Sequence, residues 1–205
     1  MSRTPPRSFY EQDARDLAPL LLNKLLVSRD ASGEVLAARI VEVEAYRGAE
    51  DPGSHAFRGM TKRNATMFGP PGHLYVYFTY GMHWCANVVA RERVEGSAVL
   101  LRAATPVRGI EVMRSRRVKA RRDRDLLSGP AKLCQAFAIT GIHDGADLTV
   151  ARGALRLVDD DVPPPTEPLV TTRIGLAPGR ADDFEWRYCV PGDPHISRGP
   201  RRTAG

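Results

Sequence analysis

Residues 74–90 read Leu-Tyr-Val-Tyr-Phe-Thr-Tyr-Gly-Met-His-Trp-Cys-Ala-Asn-Val-Val-Ala. Two runs rich in β-branched and aromatic residues, 74–80 and 84–90, flank Tyr80-Gly81-Met82-His83. A connection this short joins antiparallel strands, because a parallel pair needs a crossover of a dozen residues or more. Within the first run the two-residue period of a strand puts Tyr75, Tyr77 and Thr79 on one face, with Tyr80 beside the turn.

Upstream, residues 35–46 (VLAARIVEVEAY) predict a strand. Its second half alternates, with Val41, Val43 and Ala45 on one face and Glu42, Glu44 and Tyr46 on the other. Between the two lies a Gly- and Pro-containing loop over 47–72, a length typical of functional or disordered segments. Residues 13–26 carry Leu17, Leu20, Leu21 and Leu25 at helical spacing, with Pro19 starting or breaking the helix. Downstream, 98–102 (AVLLR) predicts a short buried strand. Residues 105–125 predict a mostly helical stretch, with eight Lys or Arg between 108 and 124. Ser128-Gly129-Pro130 opens an apolar helix across 126–140. A rigid acidic loop covers 159–168, and strand-like segments lie near 154–158, 172–176 and 187–190. Short, unevenly spaced strands argue against a doubly wound parallel sheet. With no repeat and no composition break, the expectation is one α+β domain over 9–197, with flexible polar tails at 1–8 and 198–205.

The 205 residues are 42% hydrophobic and carry a formal net charge of +6. That is enough apolar material for a core, and a charge suited to a polyanionic partner or an anionic membrane surface. Cys85, Cys134 and Cys189 are far apart and form no C-x-x-C, which predicts reduced intracellular thiols. Residues 1–8 hold no apolar signal core, and no run approaches the ~18 apolar residues of a membrane helix. The expectation is a soluble cytoplasmic protein. His55, His73, His83 and the cysteines lack zinc spacing. P-loop, G-x-S-x-G and G-x-G-x-x-G motifs are absent, so metal, hydrolase-triad and dinucleotide chemistry are not indicated.

Three features could carry chemistry. Two carboxylates and a tyrosine on one strand face are either a solvated face or a general base at a strand end. The aromatic set Tyr75, Tyr77, Tyr80 and Trp84 is either cross-strand packing or a platform for nucleobases with a wedge. The basic run 108–124, and Lys132 just after Ser128-Gly129-Pro130, are either a solvated surface or a phosphate track.

The order of these features is more specific than any one of them. Ile40-Val41-Glu42-Val43-Glu44-Ala45-Tyr46, Glu50-Asp51, His55, Leu74-Tyr75-Val76-Tyr77-Phe78-Thr79-Tyr80-Gly81-Met82, Asn87, Leu100-Leu101-Arg102-Ala103 and the run from Ser128 through Lys132 to Ala136 closely resemble the alkyladenine (3-methyladenine) DNA glycosylase family, from about residue 20 to 190. The resemblance implies a curved, mostly antiparallel, open-barrel-like sheet flanked by helices, with a protruding β-hairpin. It implies a monofunctional glycosylase of base excision repair that flips alkylated or deaminated purines (3-methyladenine, 7-methylguanine, hypoxanthine) from duplex DNA. Glu44 would activate the attacking water, which Arg102 and the carbonyl of Ile174 would help hold. Tyr46, His55, Tyr77 and Asn87 would form the base pocket. Tyr80 would be the wedge, with Met82 and Lys132 as further DNA contacts. His83 and Pro52-Gly53-Ser54 depart from the eukaryotic family pattern. No lysine adjoins the base, which predicts hydrolysis by water without a Schiff base. The expected partner is double-stranded DNA with a damaged purine, met by a monomer that acts at the nucleoid and needs no cofactor, metal or membrane. The competing readings are a non-catalytic basic nucleic-acid-binding module and an unrelated small-substrate hydrolase. If Tyr77 and Asn87 share a pocket, the hairpin must turn over three residues, Tyr80-Gly81-Met82, pairing Tyr77 with Cys85.

Overall fold

The computed structural model describes residues 3–29, 33–91 and 96–197. In chain order its main elements are α1 (Ala14–Leu21), β1 (Leu25–Arg29), β2 (Val35–Arg47), β3 (Leu74–Thr79), β4 (His83–Ala90), β5 (Ser97–Arg108), α2 (Ile110–Arg116), α3 (Pro130–Phe137), β6 (Leu155–Val158), β7 (Leu169–Thr171) and β8 (Arg187–Cys189). The strands form a sheet in the order β3-β4-β5-β2-β1-β6, and every described pairing is antiparallel. One edge of β2 forks: residues 35–39 pair with β1, while 42–44 pair with β8, which in turn holds β7. The fork curls the sheet into an open half-barrel, the α+β architecture expected.

The two faces of the sheet have separate duties. On one, Val43, Ala45, Val88, Val99 and Leu101 pack with Leu17 and Leu21 of α1 and with Leu133 and Phe137 of α3 in the main core. On the other, Tyr75, Val89 and Ala98 pack with Ala56 and Met67 from the long loop in a smaller cluster, with Tyr77 beside it. The strand alternation creates this division, because successive side chains point to opposite faces.

Several boundaries differ from the sequence expectation. The helix over 13–26 stops at Leu21. Asp13 caps it by accepting from the Arg15 amide at 2.9 Å, and Asn23 at φ 66° then turns the chain, so Leu25 opens a strand instead. The short strand at 98–102 runs on to Arg108, because residues 104–108 pair with 37–40 of β2. The helical stretch at 105–125 shrinks accordingly to α2 and a 3-10 turn at Asp123–Asp125, with Gly109 at φ 76° as the break. The apolar helix at 126–140 is likewise shorter. It begins at Pro130 and ends against Ala138, whose φ of 54° is left-handed. No strand covers 172–176; β7 precedes it, and Gly175 at φ 87° takes the chain out of extended geometry.

The long loop is ordered from within. Buried Asn64 accepts from the Thr61 amide at 2.6 Å and donates to the carbonyls of His55 and Gly59. At the N-terminus, expected to fray, Arg3 exchanges backbone hydrogen bonds with Asp159. Arg7 there binds Asp147 at 2.6 Å. Residues 198–205 lie outside the described residues. No described helix is long and apolar enough to cross a membrane.

The hairpin has the expected register. Tyr77 pairs with Cys85, Tyr75 with Asn87 and Thr79 with His83, leaving Tyr80-Gly81-Met82 as the turn. Tyr80 and Gly81 have φ of 51° and 66°. Glycine reaches that region freely, whereas tyrosine bears a strain there.

Candidate active site

A cross-sheet row sets the site. Asn87 pairs with both Tyr75 and Leu100, Leu100 pairs with Glu44, and Glu44 pairs with Arg187. These side chains therefore share the face opposite the main core. Besides a slip between Ala37 and Ala38, the β2–β5 ladder slips twice around the acids, between Ile40 and Glu42 and between Glu42 and Val43. The second slip makes Arg102 an extra residue on β5. A bulge of this kind re-aims a side chain, and here the Arg102 guanidinium reaches both acids of β2.

Hydrogen-bond accounting separates the two carboxylates, which are both 0% exposed. A carboxylate offers about four acceptor positions. On Glu42, Oε1 accepts from Arg102 Nε at 2.9 Å, Arg187 Nε at 2.7 Å and Ser197 Oγ at 2.7 Å, and Oε2 accepts from the Ser197 amide at 2.6 Å. Oε1 thus carries three of the four donors and Oε2 one. Burial by itself would raise the Glu42 pKa. The charges of Arg102 and Arg187, with the hydrogen bonds from Ser197 and Arg187, outweigh that and hold it below the ordinary value. On Glu44, Oε2 accepts from the Tyr46 hydroxyl at 2.9 Å and Arg102 Nη1 at 3.1 Å, and Oε1 accepts from the Ile174 amide at 2.7 Å. Glu44 therefore has three described donors to the four on Glu42, and its Oε1 accepts only one of them. Burial lowers the Arg102 pKa, but the Glu44 and Glu42 charges more than reverse this, so Arg102 stays charged.

Next to Glu44, which does not itself line it, lies a cavity of about 330 Å³. All three donors to Glu44 line it, as do His55, Tyr77, Asn87 and Tyr80. Tyr46 is covered on one ring face by Arg173, 4.7 Å from the ring centroid. Burial and the Glu44 charge push its phenol well above the ordinary pKa, so the hydroxyl keeps its proton. Tyr77 stacks on Tyr75 at 5.4 Å and meets the His55 ring edge-on at 4.4 Å. His55 Nδ1 lies 3.2 Å from the Tyr75 hydroxyl. Desolvation and the nearby Arg63 charge lower the His55 pKa, which keeps the imidazole neutral. Buried Asn87 donates to the Tyr75 carbonyl at 3.2 Å.

Two residues beside the cavity project outward. Tyr80 at the hairpin tip is 80% exposed and also touches the cavity rim, and Met82 is 67% exposed. Lys132, in the first turn of α3, holds Ser128 Oγ at 3.1 Å. It lines a groove with Arg102, Arg122 and Arg124 that meets the cavity at Arg102. A second groove continues past Lys132 to Arg117, Lys119 and Arg121. The basic run thus borders the cavity.

The structure brings Glu44, Arg102, Ile174, Tyr46, His55, Tyr77, Asn87 and Tyr80 to one site, and leaves Met82 and Lys132 on its flanks. At Ile174 it is the amide that touches Glu44. Sequence reasoning missed Arg173, whose guanidinium binds both oxygens of Asp51 at 2.5 and 2.8 Å and the Ala45 carbonyl at 3.0 Å. This pair ties the segment around Ile174 to the loop that carries His55. Asp51 stood within a quoted motif, whereas Arg173 had no local signal. Ser197 and Arg187 were also missed.

Comparison with known proteins agrees with the geometry. The methylpurine-DNA glycosylase family model matches residues 8–194. A protein of Burkholderia cenocepacia (strain HI2424), provisionally named as a 3-methyladenine DNA glycosylase, is 52% identical over 192 residues, covering 94% of this chain and 90% of the relative. Proteins of the same provisional name from Carboxydothermus hydrogenoformans and Streptomyces avermitilis are 46% identical over 194 residues and 44% identical over 197. They cover 94% and 95% of this chain and 98% and 92% of the relatives.

Proposed function

This chain belongs to the methylpurine-DNA glycosylase family and is a DNA glycosylase, a hydrolase of N-glycosyl bonds; from that premise we propose that it excises alkylated or deaminated purines from duplex DNA with a water activated by Glu44. The observation that carries this reading is Glu44 itself. It is a buried carboxylate in a basic protein, held by three donors that line a base-sized cavity, with acceptor capacity to spare.

The damaged nucleotide leaves the stack, Tyr80 fills the gap, and the base enters between Tyr46 and Tyr77. A cationic base such as 3-methyladenine or 7-methylguanine gains about 0.5–2 kcal/mol against aromatic faces. As the bond between C1′ and the purine nitrogen breaks, its electron pair goes to the base; a cationic base leaves neutral, and uncharged hypoxanthine leaves as its anion and takes a proton from solvent. The sugar becomes oxocarbenium-like, and the Glu44 charge stabilises it. Water adds to C1′ as Glu44 takes its proton. General-base help of this kind is worth about 10²–10⁴-fold. Arg102 and the Ile174 amide fix the carboxylate, Tyr46 orients it, and His55 bonds the purine edge. Asn87 at the wall disfavours the exocyclic amino group of guanine. Phosphates follow the groove at Lys132, with Met82 as a further DNA contact.

The working unit is a monomer with one glycosylase domain over 9–197 that acts on chromosomal DNA in the cytoplasm. A stable dimer in sedimentation would overturn the first part. A non-catalytic binding module would give Glu44 no task. The direct test is base release from duplex containing one hypoxanthine, and from randomly methylated DNA, by wild type and Glu44→Gln. Release by wild type alone is expected. Equal release by both proteins would exclude Glu44 as the base.

A further inference from the structure

The Glu42 carboxylate, with four donors, joins Arg102 to a distant part of the chain. Ser197 is 7% exposed and gives both its amide and its hydroxyl to Glu42. Its carbonyl accepts from Arg187 Nη2 at 3.3 Å. The strap before it is fastened to β5, where Thr105 Oγ1 donates to Asp193 at 3.1 Å. Arg102 lies between the two acids, with Nε on Glu42, Nη1 on Glu44 and Nη2 3.4 Å from Ser197 Oγ.

A guanidinium beside a carboxylate prefers the two-pronged arrangement, with parallel N–H bonds to both oxygens. Were Arg102 to adopt it on Glu44, it would take the acceptor position on Oε1 that the Ile174 amide leaves. The second prong beside Nη1 is Nη2, from which Ser197 Oγ accepts at 3.4 Å, while Glu42 fixes the guanidinium through Nε. Ser197, by spending two donors on Glu42, keeps that acid aimed at Arg102 and Arg187. We propose that Glu42 and Ser197 are positioning residues for the hydrolysis. Ser197 latches Glu42 and takes Arg102 Nη2, Glu42 fixes Arg102 Nε, and together they hold Arg102 to a single hydrogen bond on Glu44, which thereby keeps an oxygen position for water. This rests on the reading of Glu44 as the base. It makes the strap at 193–197 part of the catalytic machinery, although none of its residues faces the base cavity.

The test measures single-turnover base release and lesion-duplex affinity for Ser197→Ala, Ser197→Thr and Glu42→Gln, beside wild type and Glu44→Gln. Ser197→Ala and Glu42→Gln should slow release by about 10- to 100-fold, the range a small misplacement of a catalytic group produces. Their affinity for lesion duplex should stay within about twofold of wild type. Ser197→Thr, which retains the hydroxyl, should recover most of the rate. Release abolished by Glu44→Gln but unchanged in Ser197→Ala and Glu42→Gln would overturn the positioning role alone. So would a rate loss matched by an equal loss of affinity, or a Ser197→Thr variant as slow as Ser197→Ala. Release that survives Glu44→Gln, or wild type that releases no base, would overturn the base assignment and this inference together.

Discussion

The Tyr46 hydroxyl donates to Glu44 Oε2 at 2.9 Å, across the two-residue step of a single strand face. One tyrosine thus serves as pocket wall through its ring and as anchor of the carboxylate through its oxygen. A hydrogen bond to a charged group is worth about 1.5–3 kcal/mol. Tyr46→Phe keeps the wall and loses the anchor. It should lower single-turnover base release by about 10- to 100-fold with little change in lesion-duplex binding. A loss of binding without a loss of rate would show that only the ring matters.

Tyr80 is 80% exposed at the hairpin tip, and its side chain contributes little to the fold. Tyr80→Ala should leave the melting temperature within about 2 °C of wild type, as expected for an exposed site. Release from duplex should fall by about tenfold or more, since the gap left by the flipped base is no longer filled. The comparison is with a single strand carrying the same lesion, where the loss should be much smaller. Equal losses on both substrates would remove the wedge role.

Arg173 and Asp51 form a buried ion pair with both side chains at 0% exposure. Removing one partner leaves the other charged, buried and unpaired, at a cost of about 3–5 kcal/mol. Arg173→Ala and Asp51→Ala should each lower unfolding free energy by that order in urea titration. The double substitution should cost less than the sum of the two. Additive effects would mean the pair is not coupled.

Acid should unfold the protein through carboxyls that are better stabilised as anions when folded. Burial tends to raise the pKa of Asp13, but hydrogen bonds from Arg15 and Arg47 and the Arg15 charge bring it down to about 2. Glu42 is also held below its ordinary value, against its burial. Both bind protons less readily folded than unfolded, so stability rises with pH while the unfolded chain holds the extra protons. Their contribution is full above about pH 5, and it fades as pH falls through the ordinary carboxylate range toward 2. Urea unfolding at pH 7, 5, 4 and 3 should show the decline, flatter in Asp13→Asn, where the helix cap survives but the titration does not. An unchanged slope in that variant would assign the acid sensitivity elsewhere.

Legibility followed the range of the interaction. The turn at Tyr80-Gly81-Met82 and the pairing of Tyr77 with Cys85 came from strand parity and one shared pocket. The end of the first helix was misplaced because Leu25 continues a helical spacing, while Asn23 reverses the chain there. The strand through Arg108 was cut short because its pairing with β2 outweighs the local pattern.

By itself, the sequence determined which residue types stand on which strand face, because alternation is a covalent property of extended backbone. It placed Glu42 and Glu44 together and could not separate their tasks on physical grounds. That decision belonged to the tertiary structure. Two of the four donors to Glu42 come from Ser197, 155 residues away in the chain, and the amide that fixes Glu44 from Ile174, 130 away. Side chains so distant leave no periodicity at either end, and only closure of the half-barrel brings them within hydrogen-bonding reach.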